Sequence, residues 1–361
     1  MNRIAVIGAG FSGISVCYHL IKNGIIPVVF DAGLPEKASS VPLGLINPAT
    51  GQKALPAWHY QQGLQASFQF LEELQTFSKA MLFAKNGVVR PAMTLSMSES
   101  FKKNAELFNT DVVFLDSDSF AREFPSVFSS YGGLVITNAG TVSGSTIHQA
   151  FSSYARHHHI EIHHEKIESI SATNQHCLIQ TNEKCLEFDS VVVCTGSVIP
   201  LIHHIDIHAL IHPVKGQLTR LQVLDPKRLP AQSISGLGYL ARLKDDFVFG
   251  STFEHHFNHL SPTEEGAKRL QEQLNKLIPK ASDFIKFTRQ WIGVRASTPD
   301  RKPLIGTFDA YPTLSFYLGN GSKGMLWSLY LGDLVVKQIL QNHPIESEVD
   351  IRRFNSKVNF N

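Results

Sequence analysis

The first residues able to do chemistry are Gly8-Ala9-Gly10-Phe11-Ser12-Gly13 and, 18 residues after Gly13, Asp31. A GxGxxG run can serve a pyrophosphate. Its first glycine allows a tight turn, its second lets the main chain approach the phosphates, and its third lets a helix pack closely on the preceding strand. A helix N-terminus behind the run adds unpaired N–H groups and a partial positive charge. Asp31 can accept hydrogen bonds from an adenosine ribose, and an acid there favours a free 2′-hydroxyl over a 2′-phosphate. Glycine-rich turns alone are common, so the flanking elements decide the meaning.

Those elements agree. Ile4-Ala5-Val6-Ile7 is a short apolar run suited to a buried parallel strand, Ile14 to Lys22 reads as a helix, and Ile26 to Phe30 reads as a second buried strand ending at Asp31. Strand, GxGxxG, helix, strand, acid is a dinucleotide site in its proper setting, and it leaves NAD and FAD both open. The 361 residues allow about two domains. Apolar residues at 43% and charged residues at 18% describe an ordinary globular chain and exclude a disordered or fibrous one. A net charge of +2 points to no nucleic-acid partner, and DNA is not expected.

Four scattered cysteines, Cys17, Cys177, Cys185 and Cys194, fit a reducing compartment and form no zinc spacing. The run Ile4 to Gly10 is too short and glycine-rich for an export signal or an integral membrane segment. A cytoplasmic enzyme is expected. Histidines cluster at 157–159, 163–164, 203–204 and 255–259, but without HExxH or paired cysteines, so no metal is expected.

Later segments carry a family likeness. They are Val191-Val192-Val193-Cys194-Thr195-Gly196-Ser197, Pro213-Val214-Lys215-Gly216-Gln217, the stretch from Trp291 through Gly293, Arg295 and Thr298-Pro299-Asp300 to Gly306, and Leu318-Gly319-Asn320-Gly321-Ser322-Lys323-Gly324-Met325. In order and spacing, from Arg3 to about Val336, the chain resembles the D-amino-acid oxidase (DAO) family of FAD-dependent oxidoreductases, which includes glycine and sarcosine oxidases and D-amino-acid dehydrogenases. VRASTPDRKPLIG and GNGSKGM look most like the FAD oxidase domain of the bifunctional proteins of tRNA 5-methylaminomethyl-2-thiouridine biosynthesis. The GLINP core of residues 44–48 fits the family's loop over the flavin, whereas Ala49-Thr50-Gly51-Gln52-Lys53 departs from it.

The resemblance implies an α/β chain, α+β overall, with a discontinuous Rossmann-like FAD-binding domain and an antiparallel-sheet substrate domain in the manner of DAO and glutathione-reductase-like flavoproteins. The FAD-binding domain would take residues 1–79, 143–213 and 298–361, and the substrate or cap domain residues 80–142 and 214–297. Within the latter, Gln217 to Val223, Gly238 to Leu243 and Phe247 to Thr252 read as strands, and Pro262 to Leu277 as an amphipathic helix.

The cofactor implied is FAD, held noncovalently because the loop Lys37 to Ala54 lacks histidine and residues 319–337 lack cysteine. Its expected contacts are Gly8, Gly10, Phe11, Ser12, Gly13, Asp31, Ala32, Ser39, Ser40, Gly44, Leu45, Ile46, the main chain of Ile167, Thr195, Gly196, Arg295 and the turn Gly319, Asn320, Gly321, Ser322, Lys323, Gly324, Met325. That turn offers N–H donors, and Lys323 an ammonium, to the charge that develops on a reduced flavin.

Arg295 matches the family's carboxylate-binding arginine, since a planar guanidinium holds a carboxylate bidentately. A structural pairing of Arg295 with Asp300 is the competing expectation, with Asp300 capping N–H groups in a turn. Arg90 is a weaker candidate. The chemistry expected is oxidation of the C–N bond of a small amino acid or N-substituted glycine to an imine. Two alternatives stay open: a stand-alone oxidase of the carboxymethylaminomethyl side chain of tRNA wobble uridine, with Lys286, Arg289, Arg301 and Lys302 as candidate RNA contacts, and a non-catalytic flavin-binding protein.

Overall fold

The structure, a computed structural model, describes residues 3–108 and 110–360. The chain forms two compact units: one holds the residues up to Ser40, His148–Val214 and the residues from Val294 onward, the other Val41–Ile147 and Lys215–Gly293.

The first unit is built on a six-stranded sheet in the order Glu161–His163, Val28–Phe30, Ile4–Ile7, Ser190–Val193, Leu314–Leu318, Leu304–Thr307. The first four pairings are parallel and the last antiparallel. Ile4–Ile7 and Leu314–Leu318 are buried throughout, as expected of parallel strands covered on both faces. The second strand starts at Val28 rather than Ile26, because Pro27 has no N–H for the ladder and Ile26 is exposed. The helices Phe11–Lys22 and Gly324–Gln341 lie close together. A Cβ on Gly332 would stand 2.0 Å from Ser15 Oγ, and that hydroxyl donates to the Ser328 carbonyl at 2.6 Å. A small sheet of Cys185–Phe188, Cys177–Gln180, Ser169–Ala172 and Leu201–Ile202 shares the core through Ile170, Ile179 and Phe188.

The second unit is built on an eight-stranded sheet in the order Ile285–Ser297, His212–Val223, Asp246–Gly250, Tyr239–Leu243, Ser233–Ser235, Val88–Pro91, Gly133–Ile136, Val112–Leu115. The chain passes between units within the first two of these strands. Within this sheet the pairing of Ser233–Ser235 with Val88–Pro91 is parallel. The amphipathic helix runs Glu264–Leu277 and sets Leu270, Leu274 and Leu277 among Phe247, Phe249 and Ile234.

Residues 41–79, expected with the FAD-binding segments, belong to this second unit by their contacts. Gly44–Ile46 pairs with Gly140–Val142, which pairs with Phe83–Ala84, and Leu43 packs with Leu218, Ala241 and Val248. Among the described residues no helix is long and apolar enough to cross a membrane.

Candidate functional site

Within the first unit, the glycine-rich turn and the first helix are shaped by contact. Gly8 sits at φ +97°, and a Cβ there would lie 2.6 Å from the Cys194 carbonyl oxygen. A Cβ on Gly13 would lie 1.8 Å from the Gly8 carbonyl oxygen, so no side chain fits where the helix crosses its own entry turn. Helix Phe11–Lys22 starts from Gly10 with no side-chain cap and no acid in its first turn. Its first N–H groups therefore remain for an outside acceptor.

Helix Gly324–Gln341 begins in the same way, behind Lys323, with neither a side-chain cap nor an acid in its first turn. Asn320 Nδ2 donates to Ser12 Oγ at 2.9 Å and so ties the two N-termini together. The Gly321 N–H donates to the Ala296 carbonyl at 2.8 Å, fixing the turn to the strand that carries Arg295. Gly319 and Gly321 take positive φ, +77° and +56°, and Gly319 rests on the Thr298 methyl.

Asp31 is buried at the end of its strand and holds the turn itself, accepting from the Ala9 N–H at 3.2 Å. Its other oxygen pairs with the Lys37 ammonium. A carboxylate has about four acceptor positions, so sites remain for a ribose. Ala32 next to it is exposed. Lys37 heads the short 3₁₀ turn Ala38–Ser40, where the Ser40 N–H donates to the Lys37 carbonyl at 3.0 Å and buried Ser39 meets His148 Nε2 at 3.0 Å. Burial first, and then the charge of Lys37, push the His148 imidazole down to about 4. Neither Lys37 nor His148 stands in a motif. The Ile167 side chain is buried in the core, so only its main chain can be offered to a ligand.

Arg295 is partly buried on the strand Ile285–Ser297. Asp300 does not need it: its carboxylate takes Arg353 Nε at 2.8 Å and the Lys302 N–H at 3.0 Å. Burial alone would raise the Asp300 carboxyl, but these donors outweigh it and hold it below its ordinary range. The capping turn expected at Asp300 is present, with Arg353 as the pairing arginine. Lys323 lies over the Trp327 ring at 4.7 Å and makes no ion pair among the described residues. Burial, and then Arg301, keep its ammonium below the ordinary lysine range.

In the second unit, Gly44, Leu45 and Ile46 form a short strand, preceded by the Leu43 carbonyl, which accepts from Tyr239 Oη at 3.2 Å. Arg90 is committed elsewhere than to a substrate. It is buried under Phe101 and donates to the Ala49 carbonyl at 3.1 Å and to the Gly51 carbonyl, pinning the 49–53 loop. Burial pushes its guanidinium down to about 10.

The PVKGQ segment also acquires a physical role there. Buried Lys215 pairs with Glu254 at 3.0 Å. Buried Gln217 accepts from the Thr263 N–H at 2.9 Å and donates to the Thr263 carbonyl at 3.0 Å, locking the start of helix Glu264–Leu277. Lys286 and Arg289 are an odd number of residues apart on one strand and so point to opposite faces.

The first unit's cradle suits a large anionic dinucleotide. Two uncapped helix N-termini meet in it, and two buried side-chain oxygens, Thr195 Oγ1 and Asn320 Oδ1, have no hydrogen-bond partner among the described residues. Leaving such groups unmatched costs roughly 1–3 kcal/mol each, which a polar ligand removes. The residues thus fit FAD at its nucleotide end.

A family profile described as "DAO: FAD dependent oxidoreductase" matches residues 3–338. The chain is 26% identical over 350 residues, covering 94% of its length, to the tRNA 5-methylaminomethyl-2-thiouridine biosynthesis bifunctional protein of Acinetobacter baylyi, and spans 53% of that protein. It therefore spans about half the length of this relative. Among solved structures, glycine oxidase from Bacillus cereus superposes with TM-score 0.84 at 19% identity, covering 95% of this chain and 96% of that one. Iminodiacetate oxidase from Chelativorans superposes with TM-score 0.81 at 19% identity, covering 96% and 98%. At these identities the superpositions establish the two-domain flavoprotein fold.

Proposed function

The chain belongs to the DAO family of FAD-dependent oxidoreductases, and on that premise we propose that it oxidises the C–N single bond of a small amino acid or an N-substituted glycine to an imine. Bound FAD supplies the hydride acceptor. The protein's part is to hold cofactor and substrate and to place charge. The N–H groups of Gly10 to Gly13 would take the diphosphate, Asp31 the adenosine ribose, and the Ile167 main chain the adenine edge. Within the first unit, Ser39, Ser40, Thr195 and Gly196 would complete the cofactor contacts. The turn Gly319–Met325 would offer N–H groups and the Lys323 ammonium to the electron-accepting end.

Arg295 would clamp the substrate carboxylate bidentately, so that the α-carbon is held rather than free to turn. The observation that carries this reading is the bond from the Gly321 N–H to the Ala296 carbonyl. It fixes the strand bearing Arg295 to the turn that opens an uncapped helix N-terminus. With Asp300 taken by Arg353, the arginine is not required for that turn.

A second reading keeps the residues and changes the substrate. The carboxymethylaminomethyl side chain of a tRNA uridine is itself an N-substituted glycine, and the likeness to the tRNA-modifying protein of Acinetobacter baylyi spans 94% of this chain. Against it, Lys286 and Arg289 do not share a strand face, so they make no basic stripe there.

Anaerobic absorbance of the bound flavin tests both. Bleaching by glycine, sarcosine, iminodiacetate or a D-amino acid supports the first reading. Bleaching by undermodified tRNA alone moves the substrate to the second. No bleaching by any of them, from a flavin that dithionite reduces, overturns both.

A further inference from the structure

We propose that His148 is a positioning residue of the cofactor cradle: its Nε2–H, donated to Ser39 Oγ, aims the single proton of the Ser39 hydroxyl at the cofactor diphosphate. The inference rests on the cradle reading given above. Ser39 is buried in the turn Ala38–Ser40, and its Oγ lies 3.3 Å from the point where a Cβ on Gly10 would stand, at the mouth of the first helix. His148 reaches it at 3.0 Å from a helix, Gly144–His157, that contains none of the motif residues.

The His148 ring plane is set by Phe11, stacked at 6.1 Å between centroids with an 11° tilt. Phe11 is the first residue of the uncapped helix, and its ring edge comes 3.3 Å from the point where a Cβ on Gly324 would stand. One imidazole thus touches the glycine-rich helix and the serine turn, while Phe11 extends the contact to the last helix.

Chemistry fixes the direction of the hydrogen bond. Diphosphate oxygens only accept, and a serine hydroxyl has one proton to give. If Ser39 spends that proton on His148, it has none for the phosphate. His148 must therefore be the donor, as the Nε2–H tautomer. Its burial, and the cation of Lys37 beside it, keep the ring neutral, so this tautomer choice is a real one. An imidazole that only filled space would not need the N–H.

The test is a titration of apoprotein with FAD, read by quenching of flavin fluorescence, in the wild type, His148→Ala, His148→Gln, Ser39→Ala and the double alanine variant. His148→Ala and Ser39→Ala should each weaken FAD about tenfold, the scale of one hydrogen bond to a charged group. The double variant should bind no more weakly than Ser39→Ala alone, and His148→Gln, whose amide N–H reaches the place of Nε2, should regain most of the loss. Should His148→Ala fail to fold, His148→Phe keeps the stack on Phe11, removes the donor, and must show the same loss. Wild-type affinity in His148→Ala or His148→Phe, or losses that multiply in the double variant, overturns the proposal. If Ser39→Ala itself leaves affinity unchanged, the cradle reading falls with it; if only His148→Ala does, this inference falls alone.

Discussion

Helices in the two units begin in different ways. In the second unit Thr94, Asp116 and Thr263 each accept a hydrogen bond from the first turn of the helix they precede, and Glu264 and Glu265 add acid to the last of these starts. In the first unit, Phe11–Lys22 and Gly324–Gln341 start from Gly10 and Lys323 with no cap and no acid. The capped helices satisfy their own N–H groups. The uncapped pair leaves them for something brought from outside. An open start alone makes no site: Tyr60–Gln75 also lacks a side-chain cap, behind a left-handed His59. What sets the pair in the first unit apart is convergence, through the bond from Asn320 to Ser12, and the buried oxygens left unmatched beside them.

Closing one of the open starts should have the largest effect. Gly10 has extended backbone, φ −75° and ψ −173°, that any residue adopts, so Gly10→Asp would give the helix a cap of its own. The apoprotein should melt no lower, since a cap contributes about 1 kcal/mol, while FAD binding should fall about a hundredfold or more as a carboxylate occupies the phosphate's place. Equal FAD affinity in a titration would break the comparison.

The next largest effect is in pH. His148 is held near 4 in the folded chain against an ordinary value of 6.5, so between those limits the unfolded chain binds the extra proton. Its contribution is complete above about pH 6.5 and is lost as pH falls toward 4, at most about 3 kcal/mol. Denaturant midpoints of the apoprotein across that window should therefore drop more steeply in the wild type than in His148→Gln.

The converse changes in the second unit are smaller. Gln217→Ala strands the Thr263 main chain and should cost about 2 kcal/mol in urea unfolding. Thr263→Ala removes only the cap and should cost about 1 kcal/mol. A larger loss from Thr263→Ala than from Gln217→Ala would show that the cap, and not the buried amide, holds that helix start.

The same contrast explains what could be read from the chain in advance. The first unit's turns are built from neighbours in sequence. Gly8 against Gly13 and the GNGSKG turn before its helix are visible as patterns, and the strands and helix around them followed. The contacts that complete the cradle are not local. Ser39 and His148 are 109 residues apart. In the second unit, Gly44–Ile46 likewise finds its strand partner far along the chain, at Gly140–Val142. A three-residue strand carries too little periodicity to announce its partner, which is why the contacts of residues 41–79 with the second unit were not legible in the sequence. Arg90 was legible only as a cation. Its burial and the loop carbonyls it holds come from packing.

The role proposed for Arg295 is to receive the carboxylate of a substrate whose C–N bond is oxidised. Its most direct test is the rate of anaerobic flavin bleaching against concentration of an N-substituted glycine, in wild type and in Arg295→Lys with its FAD content matched. Half-saturation should rise about a hundredfold in the lysine variant, because a point charge replaces a bidentate fork, while the limiting rate changes far less. Unchanged half-saturation, or a wild-type flavin that no amine bleaches and dithionite does, would contradict it.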